Sequence, residues 1–512
     1  MKKSFIRIAC LLLLAALLVA SVISCDKNDS ISNDAQSSEE QSTAAESSTS
    51  TEAQSQTTAQ TEAQTQKSFA DMSEKERARY IVSIQLSELP SISSYTARGT
   101  ITMLGTYMGY EIDANADLLV KAANIRSSTN LNMVMSMDMT IDTMGERQTA
   151  SMMQGYANGN MFESSREVVS NEISEYKIRT PLSASEYISY SKAVNESSDF
   201  FNIALTEANC HSISCKENAD GSFTATFSDF TASGMKEIDD TFGGMFLFDD
   251  EIDGATLKLT VDKDLLPKNV QFETSYKNNS DTTISFDIDY VDFNATSATE
   301  MNFDGYKVIK DMRLIGLTKQ AMDNAFTNKS TKFDYAGTLE VLQNGSPVVE
   351  QGNNYKFSFA NTANGFEFEY DGTSSEGKDS GHYKDGSFVD TDTSNGAGTP
   401  VELSENLARQ LMKPYLDPAS LSADILEDAE RSGNECLFTI KDPNLSQFEN
   451  LIYYMGAEED DVDIKQATLS VKLRNGNFES YVYKLKLEIE GSDGRYVIDY
   501  SVNANNFKIS EK

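Results

Sequence analysis

The chain of 512 residues contains no tryptophan and only two histidines, His211 and His382. With so few imidazoles, a histidine-based metal site or a Ser–His–Asp triad is nearly excluded. Basic residues are also scarce, with 43 Lys and Arg against 79 Asp and Glu, so the formal net charge is −36. Such a chain has nothing with which to neutralise phosphates, which argues against a nucleic-acid partner. The sequence also lacks a phosphate-binding loop, a nucleophile elbow and a zinc-protease motif. We therefore predict a non-enzymatic protein with no cofactor and no metal.

Cysteine is rare as well, with five residues in the chain. Cys210 and Cys215 would lie on opposite faces if one strand held both, so a disulfide between them would need a bulge or a turn. Cys436 has no evident partner in the sequence, which leaves an odd thiol. His211 stands beside Cys210, but no further His or Cys lies near the pair. We interpret this pairing as a coincidence and not as a metal site.

The N-terminus has the layout of a secretory signal. A basic n-region ends at Arg7, an apolar run covers residues 8–19, and Val22-Ile23-Ser24-Cys25 follows. This tetrapeptide resembles the lipobox of bacterial lipoproteins, which implies that Cys25 becomes the mature N-terminus and carries membrane-embedded acyl chains such as palmitate. An uncleaved membrane helix is the alternative, but it would need about 20 apolar residues. We predict a signal peptide at 1–24 and a lipid-anchored protein on the extracytoplasmic face of the cell membrane.

Residues 25–67 are mainly Ser, Thr, Gln, Glu and Ala. A segment with so little apolar surface to bury cannot offset its chain entropy, so we predict a disordered linker. A flexible tether of this length spans about 36 Å root-mean-square. The linker would therefore hold the folded part of the protein away from the membrane.

Two later stretches, 223–261 and 436–473, are similar in sequence. Four residue pairs keep one offset of 213 residues: Thr226/Thr439, Asp229/Asp442, Ser233/Ser446 and Gly243/Gly456. Each stretch predicts a strand, an amphipathic helix, an acidic loop and a second strand. A repeat of this length indicates a duplicated domain. We predict one domain at 68–300 and a similar one at 310–512.

Within each predicted domain, short helices interrupt runs of strands. Ser73-x-x-Glu76 and Ser183-x-x-Glu186 are capping boxes, which begin helices. Further helices are predicted near 318–326 and, capped by Ser404, at 405–412. Between them, alternating strands are separated by turn signals such as Asn158-Gly159. We predict an α+β fold in which each domain is an open antiparallel β-sheet, an incomplete barrel, covered by helices. One large interleaved β-structure is the alternative.

This order of elements resembles that of the LolA/LolB-like lipoprotein carriers and of the mycobacterial LppX and LprG lipoproteins. Besides the lipobox, the resemblance is carried by Val261-Asp262-Lys263, Leu266-Pro267 and Val270. The second domain has Arg474-Asn475-Gly476 in place of the Leu-Pro element. Members of this family bind acyl chains in the barrel, so the resemblance implies a lipid or another apolar ligand. The alternative is a structural or interaction lipoprotein that presents its acidic surface to partners in the cell envelope and binds no small molecule.

One predicted strand has an unusual composition. Every second side chain in 131–141 is apolar, so these side chains share a face; this methionine face consists of Leu131, Met133, Met135, Met137, Met139 and Ile141. Methionine is flexible and suits an apolar ligand of variable shape, although ordinary core packing is the alternative. The second domain offers an aromatic face, which consists of Phe357, Phe359, Phe366 and Phe368. We predict that both faces line a ligand cavity.

Two acidic loops, 249–253 and 458–463, occupy matching places in the two repeats. Calcium prefers carboxylate oxygens, but neither loop has the residue spacing of a dedicated calcium loop. We interpret both loops as solvated turns.

Overall fold

Strands dominate the computed structural model. They account for 59% of the described residues, whereas helical residues account for 16%. None of the helices in the described ranges is long and apolar enough to cross a membrane. The structure describes residues 68–510 except for 87–88, 108–109, 144–145, 171, 195–202, 204, 232–233, 236–237, 239–251, 277–281, 363–364, 376, 393–395 and 459–460.

The first half of the described chain forms one large sheet and two helices. The helices are α1 (Glu74–Val82) and α2 (Ala184–Ala193). The strands are β1 (Ser94–Tyr107), β2 (Tyr110–Ala123), β3 (Asn132–Thr143), β4 (Glu146–Ala157), β5 (Asn160–Val169), β6 (Glu172–Pro181), β7 (Cys210–Glu217), β8 (Phe223–Phe230), β9 (Ile252–Val261), β10 (Pro267–Tyr276), β11 (Thr283–Val291) and β12 (Lys307–Val308).

The strand order of this first sheet is β12-β6-β5-β4-β3-β2-β1-β11-β10-β9-β8-β7. It consists of two meanders, β1–β6 and β7–β11, which the antiparallel pairing of β1 with β11 joins. Helix α2 lies between them in the chain, after β6 and before β7. Buried side chains from β1–β4 and β7–β11 belong to one core cluster, together with side chains of α1 and α2.

The second half repeats this plan with three helices. These are α3 (Arg313–Thr327), α4 (Glu405–Met412) and α5 (Glu449–Tyr454). The strands are β13 (Ser330–Gln343), β14 (Ser346–Thr362), β15 (Gly365–Ser374), β16 (Gly377–Lys384), β17 (Ser387–Asp392), β18 (Gly396–Ala397), β19 (Val401–Glu402), β20 (Leu426–Ser432), β21 (Glu435–Ile440), β22 (Val462–Arg474), β23 (Asn477–Gly491) and β24 (Gly494–Ser510).

The second sheet has the order β18-β17-β16-β15-β14-β13-β24-β23-β22-β21-β20, and β19 pairs with β17. Its first and last long strands, β13 and β24, pair as β1 and β11 do in the first sheet. A second core cluster fills this half, and Ile178 of β6 contributes to it. The two sheets therefore share a strand order, whereas the duplication and the domain boundaries at 300 and 310 stay predictions.

The local signals in the sequence produce the predicted structures. Ser73 and Glu76 form the predicted capping box at the start of α1, and Ser183 and Glu186 form the one at the start of α2. In the turn between β4 and β5, Asn158 has a φ of 50° and the following Gly159 a φ of 73°. Both values are positive, as a type I′ hairpin turn requires. These predictions are confirmed.

The predicted α+β fold with sheets covered by helices is wrong, because the protein is mostly β. Five of the predicted helices form, whereas the helix predicted within 223–261 lies largely outside the described residues. Among the five, the longest, α3, has 15 residues and α5 has only 6. Strands β14 and β24 each have 17 residues. Helix α1, for instance, packs on β7, β8 and β9, three of the twelve strands of the first sheet.

Residues 299–311 connect the two halves and are called the linker strap. The side-chain amide of Asn132 donates to the carbonyl of Thr299 (2.9 Å). Phe303 and Tyr306 then pack with their rings edge-on against Phe162, on the face of the first sheet opposite the main core. The strap thus covers an apolar patch on β3–β5.

Further along, the strap lies between the two sheets. Its β12 segment pairs in parallel with β6. The N–H of Ile309 donates to the carbonyl of Arg179 in β6, and the N–H of Asp311 donates to the carbonyl of Ala429 in β20, both at 2.9 Å. The buried hydroxyl of Thr180 donates to the carbonyl of Ile309 (2.8 Å). Backbone hydrogen bonds therefore connect β6 of the first sheet to β20 of the second through the strap.

Candidate ligand-binding faces

The methionine face lies on the inner side of the first sheet. Leu131 precedes β3 and the other five residues lie within it. All six side chains are buried, with exposed fractions of 3% or less, and all belong to the first core cluster. The predicted alternation is therefore confirmed, whereas the lining of a ligand cavity stays a prediction.

Small side chains flank the methionines. On β2, Ala122 is paired with Met133 and Ala116 with Met139. On the other side, Ala150 of β4 is also paired with Met139. An alanine methyl occupies little volume, so the long methionine side chains meet neighbours that leave them several rotamers. Met135 and Met137, in the middle of the row, are instead paired with Val120 and Leu118 of β2.

Aromatic stacking closes the end of the methionine face near Met133. Tyr156, which is paired with Met133, stacks on Tyr187 of α2 with ring centroids 4.8 Å apart. The Tyr156 hydroxyl donates to the carbonyl of Leu182 (3.1 Å). Burial raises the pKa of Tyr156, and the nearby Glu186 carboxylate adds to the increase. Helix α2 therefore acts as the cover of this end of the first core.

The aromatic face lies in the core of the second sheet, and each of its four rings is at most 2% exposed. Phe359 stacks on Phe326 of α3 with centroids 5.4 Å apart and planes inclined by 8°. The guanidinium of Arg409 in α4 lies 4.1 Å from the ring centroid of Phe366. Arg409 also donates to the side-chain oxygen of Asn361 (2.8 Å). Helices α3 and α4 thus hold the aromatic face in place.

Two pockets can be described in the second half of the chain. One is a small pocket of about 10 Å³ under α3, enough for about one water molecule. It is lined by Thr318, Lys319, Met322, Leu416, Asp417, Leu421, Leu469, Val471, Phe478 and Tyr481. The other is a polar groove of about 600 Å³, lined by Asp385, Gly386, Ser387, Pro400, Glu402, Leu403 and Ser404. Neither pocket is lined by the methionine face or the aromatic face.

The sequence analysis missed a group of tyrosines beside the aromatic face. Tyr355, Tyr370 and Tyr415 surround the buried ring of Phe357, with centroids 5.9, 5.8 and 4.5 Å from it. We call these four rings the tyrosine box. Tyr355 and Tyr370 are nearly perpendicular, with an interplanar angle of 87° and centroids 5.7 Å apart. The buried Phe357 ring therefore lies at the centre of the box, in contact with three partly buried tyrosines.

Two carboxylates hold the walls of the tyrosine box. The hydroxyl of Tyr355 donates to Asp379, and that of Tyr370 donates to Asp390, both at 2.8 Å. Burial raises the pKa of both tyrosines, and the hydrogen bonds to the carboxylates raise it further. Burial also raises the pKa of Tyr415, and both aspartates add to the increase. All three hydroxyls therefore lie in the field of the same two carboxylates.

The structure also places the three cysteines and the histidine that the sequence analysis discussed. The thiols of Cys210, Cys215 and Cys436 are free and buried. Burial raises the pKa of the Cys215 and Cys436 thiols to about 11. Cys210 and Cys215 lie on one strand, β7, where Cys210 donates to the backbone carbonyl of Ser228 (3.3 Å). His211, between them, is exposed.

The predicted lipidation site and part of one acidic loop lie outside the described residues. Cys25 lies outside the described residues, as do residues 249–251 of the first acidic loop. In the second loop the N–H of Glu458 donates to the carboxylate of Asp461 (3.0 Å), as in a turn. Within the described ranges, no three His, Cys, Asp or Glu side chains are grouped so that they could hold a metal ion.

No protein-family model matches the chain, and no curated protein matches it. Among solved structures, a LolA superfamily protein from Nitrosomonas europaea is similar over 38% of this chain and 93% of its own, at 13% identity and a TM-score of 0.16. Transferrin binding protein B from Haemophilus parasuis is similar over 81% of this chain and 76% of its own, at 6% identity and a TM-score of 0.14. A DUF3598 protein of unknown function from Nostoc punctiforme is similar over 82% of this chain and 97% of its own, at 7% identity and a TM-score of 0.13. Similarities at TM-scores of this size do not establish a shared fold or a shared ligand.

Proposed function

We propose that this protein is a lipid-anchored, extracytoplasmic binding protein that holds an apolar ligand, such as a lipid acyl chain, inside its first sheet. The observation that carries the proposal is the row of inward methionines on β3, in which Met133 and Met139 are paired with alanines of the neighbouring strands. Branched side chains at these positions would fill the core rigidly, whereas methionine can change rotamer and leave space for a ligand. The resemblance of the sequence to the LolA-like carriers implies the same kind of ligand.

The ligand would lie beside Met133 and Met139, the two methionines that are paired with alanines of β2. Met137, between them, is paired with Leu118 of β2 and Met152 of β4. A ligand would enter by moving these side chains together with the cover formed by α2. These movements would leave the strand pairing of the sheet intact, although α2 would give up the stacking of Tyr187 on Tyr156.

The test is the measurement of lipid that co-purifies with the protein. Protein made without its anchor, as the Cys25→Ala variant, is isolated without detergent and its bound lipid is measured by mass spectrometry. The Met135→Phe variant narrows the space, so it should carry less lipid while the fold loses only the roughly 1–3 kcal/mol typical of an overpacked core.

The matched control is Met153→Phe. Met153 lies on β4 and packs with Phe162 in the small cluster on the opposite side of the sheet. The same change of side chain there should leave the amount of bound lipid unaltered. Wild-type protein that carries no apolar molecule would overturn the proposal and favour a structural or interaction lipoprotein.

The lipid anchor is a separate part of the proposal. The n-region, the apolar run and Cys25 support it. Detergent partitioning of the wild type and of Cys25→Ala in a bacterial host checks it. Identical partitioning of the two proteins with the membrane would contradict acylation at Cys25.

A further inference from the structure

The tyrosine box is built by a register that occurs twice across neighbouring strands. Tyr355 of β14 is paired with Gly372 of β15, which is paired with Asp379 of β16. One strand further on, Tyr370 of β15 is paired with Gly381 of β16, and Gly381 with Asp390 of β17. In each row the ring crosses the glycine and its hydroxyl reaches the aspartate.

The glycines are needed because the rings lie directly over them. A Cβ atom at Gly381 would come within 2.4 Å of the Tyr370 ring. One at Gly372 would come within 2.0 Å of the Asn354 carbonyl oxygen and 2.6 Å of the Tyr355 ring. The Tyr370 ring therefore accounts for glycine at position 381, whereas both the neighbouring backbone and the Tyr355 ring exclude a side chain at position 372.

The box combines aromatic walls with negative charge that is open to solvent. Asp390 is exposed, and the three tyrosines are only partly buried. In the part of the chain that the structure describes, Asp390 accepts the Tyr370 hydroxyl and forms no ion pair with a Lys, Arg or His side chain. Hydrogen bonds from the hydroxyls to carboxylates increase the electron density of the rings, which strengthens their attraction for a cation.

We propose that the tyrosine box binds a methylated ammonium group, with the cation over the rings of Tyr355, Tyr370 and Tyr415 and the Asp390 carboxylate at the rim. Several aromatic rings around one position are the arrangement that recognises quaternary ammonium ligands. A methylated cation suits the box better than a primary ammonium does, because it loses little hydration energy and needs no set of hydrogen-bond acceptors. The protein's net charge of −36 would also attract a cation to this surface.

This site is independent of the proposed apolar ligand in the first sheet, because it lies wholly on β14–β17 and the segment around Tyr415 of the second half. A methylated ammonium could come from a free solute or from the head group of a choline lipid. The experiment therefore uses both sources as probes, in separate arms.

The test is isothermal titration calorimetry of the full chain, made as the Cys25→Ala variant, with choline chloride as the probe. A second arm uses monomeric dihexanoyl phosphatidylcholine, and a third uses 3,3-dimethyl-1-butanol, the neutral carbon isostere of choline. Binding of choline alone would indicate a free solute, and binding of both choline compounds would indicate a lipid head group. Either result supports the site. No binding of either compound at millimolar concentration, or equal binding of the neutral isostere, would overturn it.

Variants locate the binding in the box. Tyr370→Leu and Asp390→Asn should each weaken choline binding by about tenfold, and Tyr370→Phe, which keeps the ring, should weaken it less. Gly381→Ala removes no functional group but displaces the Tyr370 ring, so it should also weaken binding. Tyr453→Leu is the control, since Tyr453 is 78% exposed on α5 and lies outside the box. Thermal unfolding confirms that each variant is folded. A choline affinity that is unchanged in Gly381→Ala and Asp390→Asn would contradict the assignment.

Discussion

The hydroxyl of Thr180 is the polar contact that we expect to stabilise the junction between the two halves most strongly. Thr180 is 2% exposed and lies in β6. Its Oγ1 donates to the carbonyl of Ile309 in the linker strap (2.8 Å) and accepts the N–H of Met312 (3.0 Å), the residue before α3. The substitution Thr180→Val keeps the size and shape of the side chain but removes both hydrogen bonds.

The size of the destabilisation follows from the buried polar groups that lose their hydrogen-bond partner. A typical hydrogen bond contributes about 1 kcal/mol, but a buried polar group left without its partner costs about 1–3 kcal/mol. Thr180→Val leaves two such groups, the carbonyl of Ile309 and the N–H of Met312. We therefore expect the free energy of unfolding to fall by about 2–4 kcal/mol.

Urea denaturation followed by far-UV circular dichroism measures this change, since the chain has no tryptophan to report by fluorescence. Thr331→Val is the matched control. Thr331 is 0% exposed, but its hydroxyl has no hydrogen-bond partner among the described residues, so its removal should be neutral or slightly stabilising. Thr180→Ser, which retains the hydroxyl, should lower the free energy of unfolding clearly less than Thr180→Val does. The reasoning is refuted if Thr180→Val is no more destabilising than Thr331→Val.

Three further predictions concern single side chains. Burial raises the pKa of Glu163, so the neutral carboxyl stabilises the fold below about pH 4 and this contribution is lost as the pH rises through the raised value. Urea midpoints of Glu163→Gln should therefore exceed those of wild type at pH 8 and approach them at pH 4; a constant difference would contradict this. Ser183→Ala should cost about 1 kcal/mol in a thermal unfolding measurement by removing the α2 cap, whereas Ser189→Ala, on the exposed side of α2, should cost nothing. The Cys215 and Cys436 thiols should not react with Ellman's reagent at pH 8 until urea is added, because burial raises their pKa to about 11; rapid labelling of the native protein would show that they are accessible.

Local structure could be predicted from the sequence because its signals span only a few residues. The capping boxes at Ser73 and Ser183 and the turn at Asn158-Gly159 are complete within two to four positions, and all three form as predicted. The alternation in β3 was equally local. It identified the buried face correctly, but the number and length of the strands around it were not apparent, so the share of helix was overestimated.

Contacts between distant residues left no such signal. The pairing of β1 with β11 joins residues nearly 200 positions apart, such as Thr96 and Val291. In the tyrosine box, Tyr355 reaches Asp379 over 24 positions and Tyr370 reaches Asp390 over 20. These spacings depend on the lengths of the intervening hairpins and follow no fixed period. Only the register of the sheet brings tyrosine, glycine and aspartate into one row.

The linker strap has a consequence for self-association. A free strand edge with unpaired backbone groups is a template on which another chain can add a strand. A chain that ended before residue 299 would expose the edge of β6 and uncover Phe162, and it would leave Ile178 without the second core in which it packs. Such a fragment should aggregate even though all eleven antiparallel strands of its sheet are present. During synthesis, the first sheet would therefore stay vulnerable to edge-to-edge pairing until the strap and α3 have been made.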